Sequence, residues 1–161
     1  MGEGTTPAQA WLAEAPATRD LEKVQANMPA SGMRIGDSWA HVRPARALAA
    51  DDPALAIDAC HDAIRKAVTA YMLATGLRPR AGEGAHRIVL VYARHVLGHV
   101  TTEEDLTGAE GIRRDRGLAE YGDYPSSQFS ADHGNASADV AERIVNTVAT
   151  QLAQLDRRMR S

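Results

Sequence analysis

The sequence predicts an all-α protein, an up-and-down bundle of four main helices with one or two further helices at the N-terminus. In two long segments, residues 53–75 and 138–156, apolar side chains recur at three- and four-residue steps, which is the period of an amphipathic helix. Hydrophobic residues make up 44% of the chain but aromatic residues only 4%, so the core is built from aliphatic side chains and alanine. Paired strand patterns are missing, and this favours the helical class.

The 161 residues are enough for one domain with a substantial core. Residues 1–17 are rich in glycine, alanine, threonine and proline, and we expect a mobile N-terminal tail with a short helix around Trp11. Residues 18–161 contain no internal repeat and no composition change that would mark a linker. They are therefore predicted to form a single helical-bundle domain.

The first two helices of the bundle are predicted from turn and capping residues. A helix is expected over Thr18–Asn27, and Ser31-Gly32 then marks a turn. The second helix begins at Asp37 or Ser38 as N-cap. Pro44 lies inside its apolar pattern and would kink or split it.

The third helix has a well-marked beginning and end. Asp52 is a suitable N-cap, Pro53 takes the first helical position, and Gly76 stops the helix. The next apolar segment, from His86 to Leu97, is rich in β-branched residues and could form a buried strand. We predict a helix there, because an isolated strand without a partner is not stable.

The fifth helix is predicted to start at a capping box formed by Thr101 and Glu104. Its glycines, Gly108, Gly111 and Gly117, weaken helix propensity, so breaks are expected. Residues 122–136 are expected to form a polar loop. The last helix is predicted to begin near Ser137, with its cap at the sequence Asn135-Ala136-Ser137.

Composition narrows the classes of function. The net charge of −3 gives no overall attraction for nucleic acid, so a polyanion site must be a local patch. The single cysteine, Cys60, excludes an internal disulfide framework and fits a reducing compartment. No apolar run is long enough to span a membrane, and the N-terminus has no signal-peptide pattern. We therefore expect a cytoplasmic protein without a membrane association.

The candidate functional segment reads Arg113-Arg114-Asp115-Arg116-Gly117-Leu118-Ala119-Glu120-Tyr121. On a helix Arg113, Arg116 and Glu120 lie along one stripe. The guanidinium group offers paired donors that match phosphate oxygens, so Arg113, Arg114 and Arg116 are candidate ligand-binding residues. Glu120 would order Arg116 from four residues away. The alternative is a solvated helix face with ion pairs between neighbouring turns.

The order of these features resembles the HEPN family of helical bundles (higher eukaryote and prokaryote nucleotide-binding). The resemblance covers about residues 52–155 and includes the small-residue helix at 56–67, the turn Gly76-Leu77-Arg78, the short Gly84-Ala85-His86 and the arginine segment. It implies a homodimer that interacts with a nucleotide or RNA, in a stress, defence or toxin–antitoxin setting. Ribonucleolytic members of this family carry a histidine a few residues after the arginine, where this chain has Glu120 and Tyr121.

We therefore expect binding without efficient cleavage, with Arg116, Glu120 and Tyr121 as the candidate catalytic group. In a metal-independent ribonuclease Glu120 would act as the base and Arg116 would stabilise the developing phosphorane charge, while Tyr121 would also contact the ligand. Two alternatives remain: a weak ribonuclease of this kind, and a non-catalytic scaffold that binds a protein partner. A homodimer is also expected because the apolar positions on the third and last helices exceed what a small bundle hides.

No cofactor or metal is predicted. His95 and His99 lie four residues apart, but no third ligand accompanies them and Gly98 interrupts the helix between them. His86, next to Gly84 at the start of a helix, is interpreted as a capping or packing residue.

Overall fold

The computed structural model describes residues 4–14, 20–120 and 128–161. The elements in these ranges are six helices and one small sheet, and their order is α1 (Pro7–Ala13), β1 (Leu21–Lys23), α2 (Met28–Leu48), α3 (Pro53–Ala74), β2 (Leu77–Pro79), α4 (Ala85–Val96), α5 (Glu103–Glu120) and α6 (Ala131–Arg160). The fold is therefore predominantly helical, as predicted. None of the described helices is sufficiently long and apolar to cross a membrane.

Helix α3 is the centre of the bundle and packs against α2, α4, α5 and α6. Its apolar stripe supplies the buried side chains of Ile57, Cys60 and Val68, and α6 contributes Val145 and Val148 to the same core. Both predicted stripes are thus covered within one chain. The burial of aliphatic side chains along the whole of α3 stabilises the bundle and fixes which face of this helix turns outward.

The ends of α3 are as predicted. The carboxylate of Asp52 accepts a hydrogen bond from the backbone N–H of Leu55 at 3.0 Å, and Pro53 stands in the first turn. Gly76 has φ 80°, a left-handed conformation that favours glycine. The segment 88–92 is helical and lies inside α4, so the choice of helix over strand is confirmed.

The predicted helix over Thr18–Asn27 is wrong for residues 21–27, and its first two residues lie outside the described part of the chain. Residues 21–23 form strand β1, which pairs antiparallel with β2 in the register Leu21 to Pro79 and Lys23 to Leu77. The left-handed turn at Gly76 sends the chain back along β1, and Leu21 is buried in the core. A strand of three residues has too few positions to show a period of two, so the pairing could not be read from the sequence.

The second helix begins nine residues earlier than Asp37, at Met28. Asn27 is its N-cap, with the side-chain oxygen accepting from the backbone N–H of Ala30 at 2.9 Å. Ser31 and Gly32 are helical and do not form the predicted turn, and within the helix the Ser31 hydroxyl donates to the carbonyl of Asn27. Helix α2 continues through Pro44 and is not split.

Helix α5 is capped by Thr102, one residue after the predicted Thr101; its hydroxyl accepts from the backbone N–H of Asp105 at 3.1 Å. The glycines do not break this helix. Gly108 faces Val140 so closely that an added Cβ would stand 2.9 Å from a methyl carbon. This glycine therefore serves the contact of α5 with α6, and tertiary packing outweighs its low helix propensity.

The last helix also starts earlier than predicted. Ser130 is the N-cap of α6 and accepts from the backbone N–H of His133 at 3.1 Å. The predicted cap at Asn135 lies inside the helix. The expected helix around Trp11 is present as α1, and the Trp11 indole stacks on the His95 ring at 4.5 Å.

Candidate anion-binding site

The arginines of the α5 segment lie largely beside carboxylates. Arg116 donates from Nε to Asp58 at 2.6 Å, and its Nη1 stands 3.3 Å from Glu120, so the predicted contact between Arg116 and Glu120 is present. Arg113 donates from Nε to Glu110 at 3.0 Å. Only Arg114 extends into solvent, with 70% of its side chain exposed. Tyr121 lies outside the described residues.

The surface beside Arg116 is a shallow depression of about 270 Å³ whose lining includes Asp58, Arg116 and Glu120. Two carboxylates and one guanidinium meet there, so this depression has an acidic balance among its described residues. An anion at this place would have to compete with Asp58 and Glu120 for the arginine. The helix face predicted from the sequence therefore exists, but most of its donor capacity is occupied within the protein.

A histidine pair lies next to this depression. The rings of His61 and His86 are 5.1 Å apart between centroids and tilted by 33°. His61 belongs to α3 and is only 5% exposed, whereas His86 is exposed in the first turn of α4. This turn follows Gly84, whose φ of 90° needs a glycine and places the start of α4 against α3.

Desolvation and positive charge lower the pKa of both imidazoles and so disfavour their protonated forms. Desolvation lowers the pKa of His61 to about 4, and the charge of Arg116 lowers it further than that of any other residue. The pKa of His86 is also lowered, first by burial and then by the charges of Arg65 and Arg116. The positive charges of Arg65 on α3 and Arg116 on α5 therefore both lower the pKa of the histidine pair.

Two buried polar atoms near this place have no hydrogen-bond partner among the described residues. They are Nδ1 of His61 and Nε of Arg65. The nearest carboxylate oxygen to His61 Nδ1 is that of Asp62, at 3.9 Å, too far for a hydrogen bond. Unsatisfied buried polar atoms are uncommon in folded proteins and call for an explanation, such as a bound ligand or water.

Several positive charges surround a cavity of about 350 Å³ between α2, α3, β2 and α4, which we call the arginine pocket. Arginines from three elements and His86 line it, together with an apolar wall. The lining residues are Val24, Arg34, Arg65, Thr69, Leu73, Arg78, Pro79, Arg80, Ala81, Ala85, His86 and Val89. Among the described residues, no carboxylate belongs to this lining.

Only half of the guanidinium groups in the arginine pocket are neutralised. Arg65 pairs with Asp62 at 3.4 Å, and Arg78 forms an ion pair with Glu22. Arg34 and Arg80 form no ion pair within the described part of the chain. Arg34 has a hydrogen bond of 3.5 Å to a threonine hydroxyl, and Arg80 one of 3.4 Å to a backbone carbonyl. Both bonds are long and would yield to a charged acceptor.

The described residues contain no cluster of three or more side chains suited to hold a metal ion. His95, one member of the histidine spacing considered in the sequence, stacks on Trp11 instead. His86 is not a capping residue, because the N-cap position of α4 is Gly84 and no side-chain capping bond is formed there. Its ring instead packs against the ring of His61, so of the two roles interpreted from the sequence, capping is not observed and packing is.

Sequence reasoning missed both the arginine pocket and the histidine pair. Arg34, Arg65 and Arg80 are far apart in the chain and share no motif. The one available signal was Gly84-Ala85-His86, where a glycine suited to a left-handed turn precedes a histidine. That signal located His86 but not its partner on α3.

In comparisons of the chain with known proteins, no family model matches it, and neither does any curated protein or solved structure. The resemblance to HEPN domains thus stays a prediction that depends on the order and spacing of the quoted residues. Any function must be argued from the geometry of the site itself.

Proposed function

We propose that this protein binds a phosphate-bearing ligand, a nucleotide or RNA, and does not cleave it efficiently. The observation that carries the proposal is the arginine pocket, where Arg34 and Arg80 have no carboxylate partner among the described residues and lie beside Arg65, Arg78 and His86. Arginine forks recognise phosphate oxygens in pairs. A chain with a net charge of −3 can hold a polyanion only through such a local concentration.

The α5 segment takes a secondary part in this proposal. Arg116 acts electrostatically on His86, which lines the arginine pocket, so the segment influences that pocket through its charge. The exposed Arg114 would extend the contact along an RNA backbone. Arg113 and Arg116 must give up a carboxylate partner before they bind a phosphate, and this reduces their net contribution to the binding free energy. Tyr121 stays a predicted contact of the ligand.

The histidine pair supports a second candidate function, a weak metal-independent ribonuclease. Cleavage next to a 2′-hydroxyl needs a base to take its proton and an acid to protonate the leaving 5′-oxygen. Two imidazoles with ring centroids 5.1 Å apart, beside arginines, offer both roles. The pKa of each ring is lowered, and this disfavours the protonated imidazole that would serve as the acid at neutral pH. This is the physical reason for expecting binding without efficient cleavage.

Binding is tested by fluorescence anisotropy with a labelled single-stranded RNA, at several salt concentrations. We expect measurable binding that weakens as salt rises. Arg80→Ala should weaken it by about 1–3 kcal/mol and lower the salt slope by about one. The matched control is Arg43→Ala, because Arg43 is an exposed arginine that lines a separate groove with Trp39. Equal losses in both variants, or no binding by the natural protein to RNA or nucleotides, would overturn the proposal.

Cleavage is tested on the same RNA with a quenched fluorophore at pH 7.5 and pH 5.5. The ribonuclease candidate requires a faster reaction at pH 5.5, because a lower pH favours the protonated imidazole, and its loss in His86→Gln. Rapid cleavage at pH 7.5 that survives His86→Gln would exclude the histidine pair, and Glu120 would then be the base to test.

The HEPN-like assignment, the cytoplasmic location and the homodimer also remain proposals. The apolar stripes of α3 and α6, from which the dimer was predicted, are covered within the single chain. An apolar groove between the start of α2 and the end of α6, lined by Met28, Ile35 and Leu152 among others, is the surface that now supports a dimer or a protein partner. Light scattering at tens of micromolar protein decides the oligomeric state, and a monomer mass would end the dimer proposal.

A further inference from the structure

The charge balance of the arginine pocket identifies the kind of phosphate that fits it. Asp62 and Glu22 offset the charges of Arg65 and Arg78, so the two positive charges of Arg34 and Arg80 are left over. A phosphomonoester carries about −1.5 to −2 charges at pH 7, whereas an internal phosphodiester of RNA carries one. The surplus of positive charge therefore matches a terminal phosphate better than a phosphate within a strand.

The size and walls of the pocket limit the rest of the ligand. A volume of about 350 Å³ lies near the lower end of small-molecule sites, which begin at roughly 300 Å³. Val24, Leu73, Pro79 and Val89 form an apolar wall beside the guanidinium groups. Such a wall accepts a sugar or base face while the arginines hold the phosphate. One nucleotide fits this combination, and a folded or continuous RNA strand does not fit inside it.

We propose that the arginine pocket binds one terminal phosphomonoester, carried by a free mononucleotide or by the phosphorylated end of an RNA, in preference to internal phosphodiesters. This inference depends on the proposed function and names the ligand class of the same site. Arg34 and Arg80 hold the phosphate oxygens, and Arg65 lines the same pocket and adds to its positive field.

His86 gives the proposal a second consequence. In the free protein its pKa is lowered by burial and by the positive charges of Arg65 and Arg116. A bound dianion cancels part of that positive field and favours the protonated ring. Binding of a terminal phosphate should therefore favour proton uptake by His86, and this contribution should be absent in His86→Gln.

The experiment is isothermal titration calorimetry of the full chain with adenosine 5′-monophosphate, adenosine, and one short RNA in three forms: with a 5′-phosphate, with a 3′-phosphate, and with hydroxyl groups at both ends. We expect at least one phosphorylated ligand to bind about tenfold or more tightly than its unphosphorylated counterpart. Preference for the mononucleotide identifies the free nucleotide as the source, and preference for a phosphorylated RNA identifies the RNA end. Arg34→Ala and Arg80→Ala should each remove most of this preference, and the matched control Arg43→Ala should keep it.

The outcomes separate this inference from the function on which it depends. Equal binding of phosphorylated and unphosphorylated RNA that Arg80→Ala weakens would leave the proposed function in place and overturn the inference. A preference for terminal phosphate that survives in the double variant Arg34→Ala/Arg80→Ala would also overturn it, since the preference would then come from another place. No binding of any nucleotide or RNA would overturn both. Proton uptake measured in two buffers of different ionisation enthalpy checks the role of His86 independently, because a merely structural His86 would not change it.

Discussion

Two arginine-bearing regions of this protein differ in what surrounds the guanidinium groups. In the α5 depression, Arg116 lies between Asp58 and Glu120, at 2.6 and 3.3 Å. In the arginine pocket, the side chains of Arg34 and Arg80 bond, within the described residues, to a hydroxyl and to a backbone carbonyl and to no carboxylate. The first arrangement has more carboxylates than guanidinium groups and joins α5 to α3. The second retains two positive charges that have no carboxylate partner among the described residues. The ability of a segment to bind an anion thus depends less on its number of arginines than on whether the fold places carboxylates beside them.

The histidine pair lies between the two regions and links them. Arg116 from the first region and Arg65 from the second both lower the pKa of each imidazole. A ligand in the arginine pocket would therefore change the protonation of His86, and a change at Arg116 would do the same without a ligand. The two regions are distinct in charge but share this electrostatic contact.

The largest expected effect is a loss of ligand affinity, which tests directly whether the arginine pocket or the α5 segment contributes more to binding. The double variant Arg34→Ala/Arg80→Ala should weaken binding of the preferred phosphorylated ligand by about 3 kcal/mol, or roughly a hundredfold. The double variant Arg113→Ala/Arg116→Ala should cost only about 1 kcal/mol, because these side chains give up carboxylate partners when they bind phosphate. Calorimetric titration compares them, and a greater loss from the α5 variant would reverse the ranking of the two regions.

A second effect concerns stability as a function of pH. His61 is buried and its pKa is lowered from 6.5 to about 4, so the unfolded chain binds this proton more tightly than the folded protein. The stabilisation is complete above pH 6.5 and is lost progressively towards pH 4. From pH 7 to pH 5 the free energy of unfolding should fall by about 2 kcal/mol through His61 alone.

Urea unfolding at the two pH values, compared between the natural protein and His61→Gln, isolates this contribution. The variant should lose the corresponding part of the pH dependence, whatever its absolute stability. Arg116→Ala should reduce the same pH dependence in part, because removal of that positive charge raises the pKa of His61. An unchanged pH dependence in His61→Gln would mean that the imidazole is hydrated and not kept neutral by burial.

The smallest expected effect is a difference between the two regions in how much each arginine contact stabilises the folded protein. A double-mutant cycle of Arg116→Ala and Asp58→Ala should give a coupling energy of about 1 kcal/mol, since Arg116 is mostly covered while Asp58 is half exposed. The cycle of Arg34→Ala and Thr69→Ala should give about 0.3 kcal/mol or less, because the bond between them is 3.5 Å long. Thermal or urea unfolding measures both, and equal couplings would contradict the distinction between a structural and an available arginine.

The parts of the fold that could be predicted are those specified by local sequence. Helix α3 carries its own N-cap at Asp52, its own stop at Gly76 and a repeating apolar stripe, and each feature acts over four residues or fewer. The starts of α2 and α6 were predicted too late, since the true caps, Asn27 and Ser130, precede segments without an apolar period. At each of these starts, several neighbouring residues are suitable N-caps, and packing in the folded protein determines which of them begins the helix.

The amino-acid sequence alone is sufficient to predict that this chain is mainly helical and that α3 is an amphipathic core helix. Its composition also shows that arginine is the main cation available for binding an anion. Which arginines are neutralised depends on the tertiary structure. Arg116 contacts Asp58, which lies fifty-eight residues earlier in the chain, whereas Arg34 contacts no carboxylate among the described residues. The same holds for the sheet of β1 and β2 and for the ring contact of His61 with His86. Periodicity and capping operate within a few residues along the chain, whereas charge neutralisation and desolvation depend on distances through space.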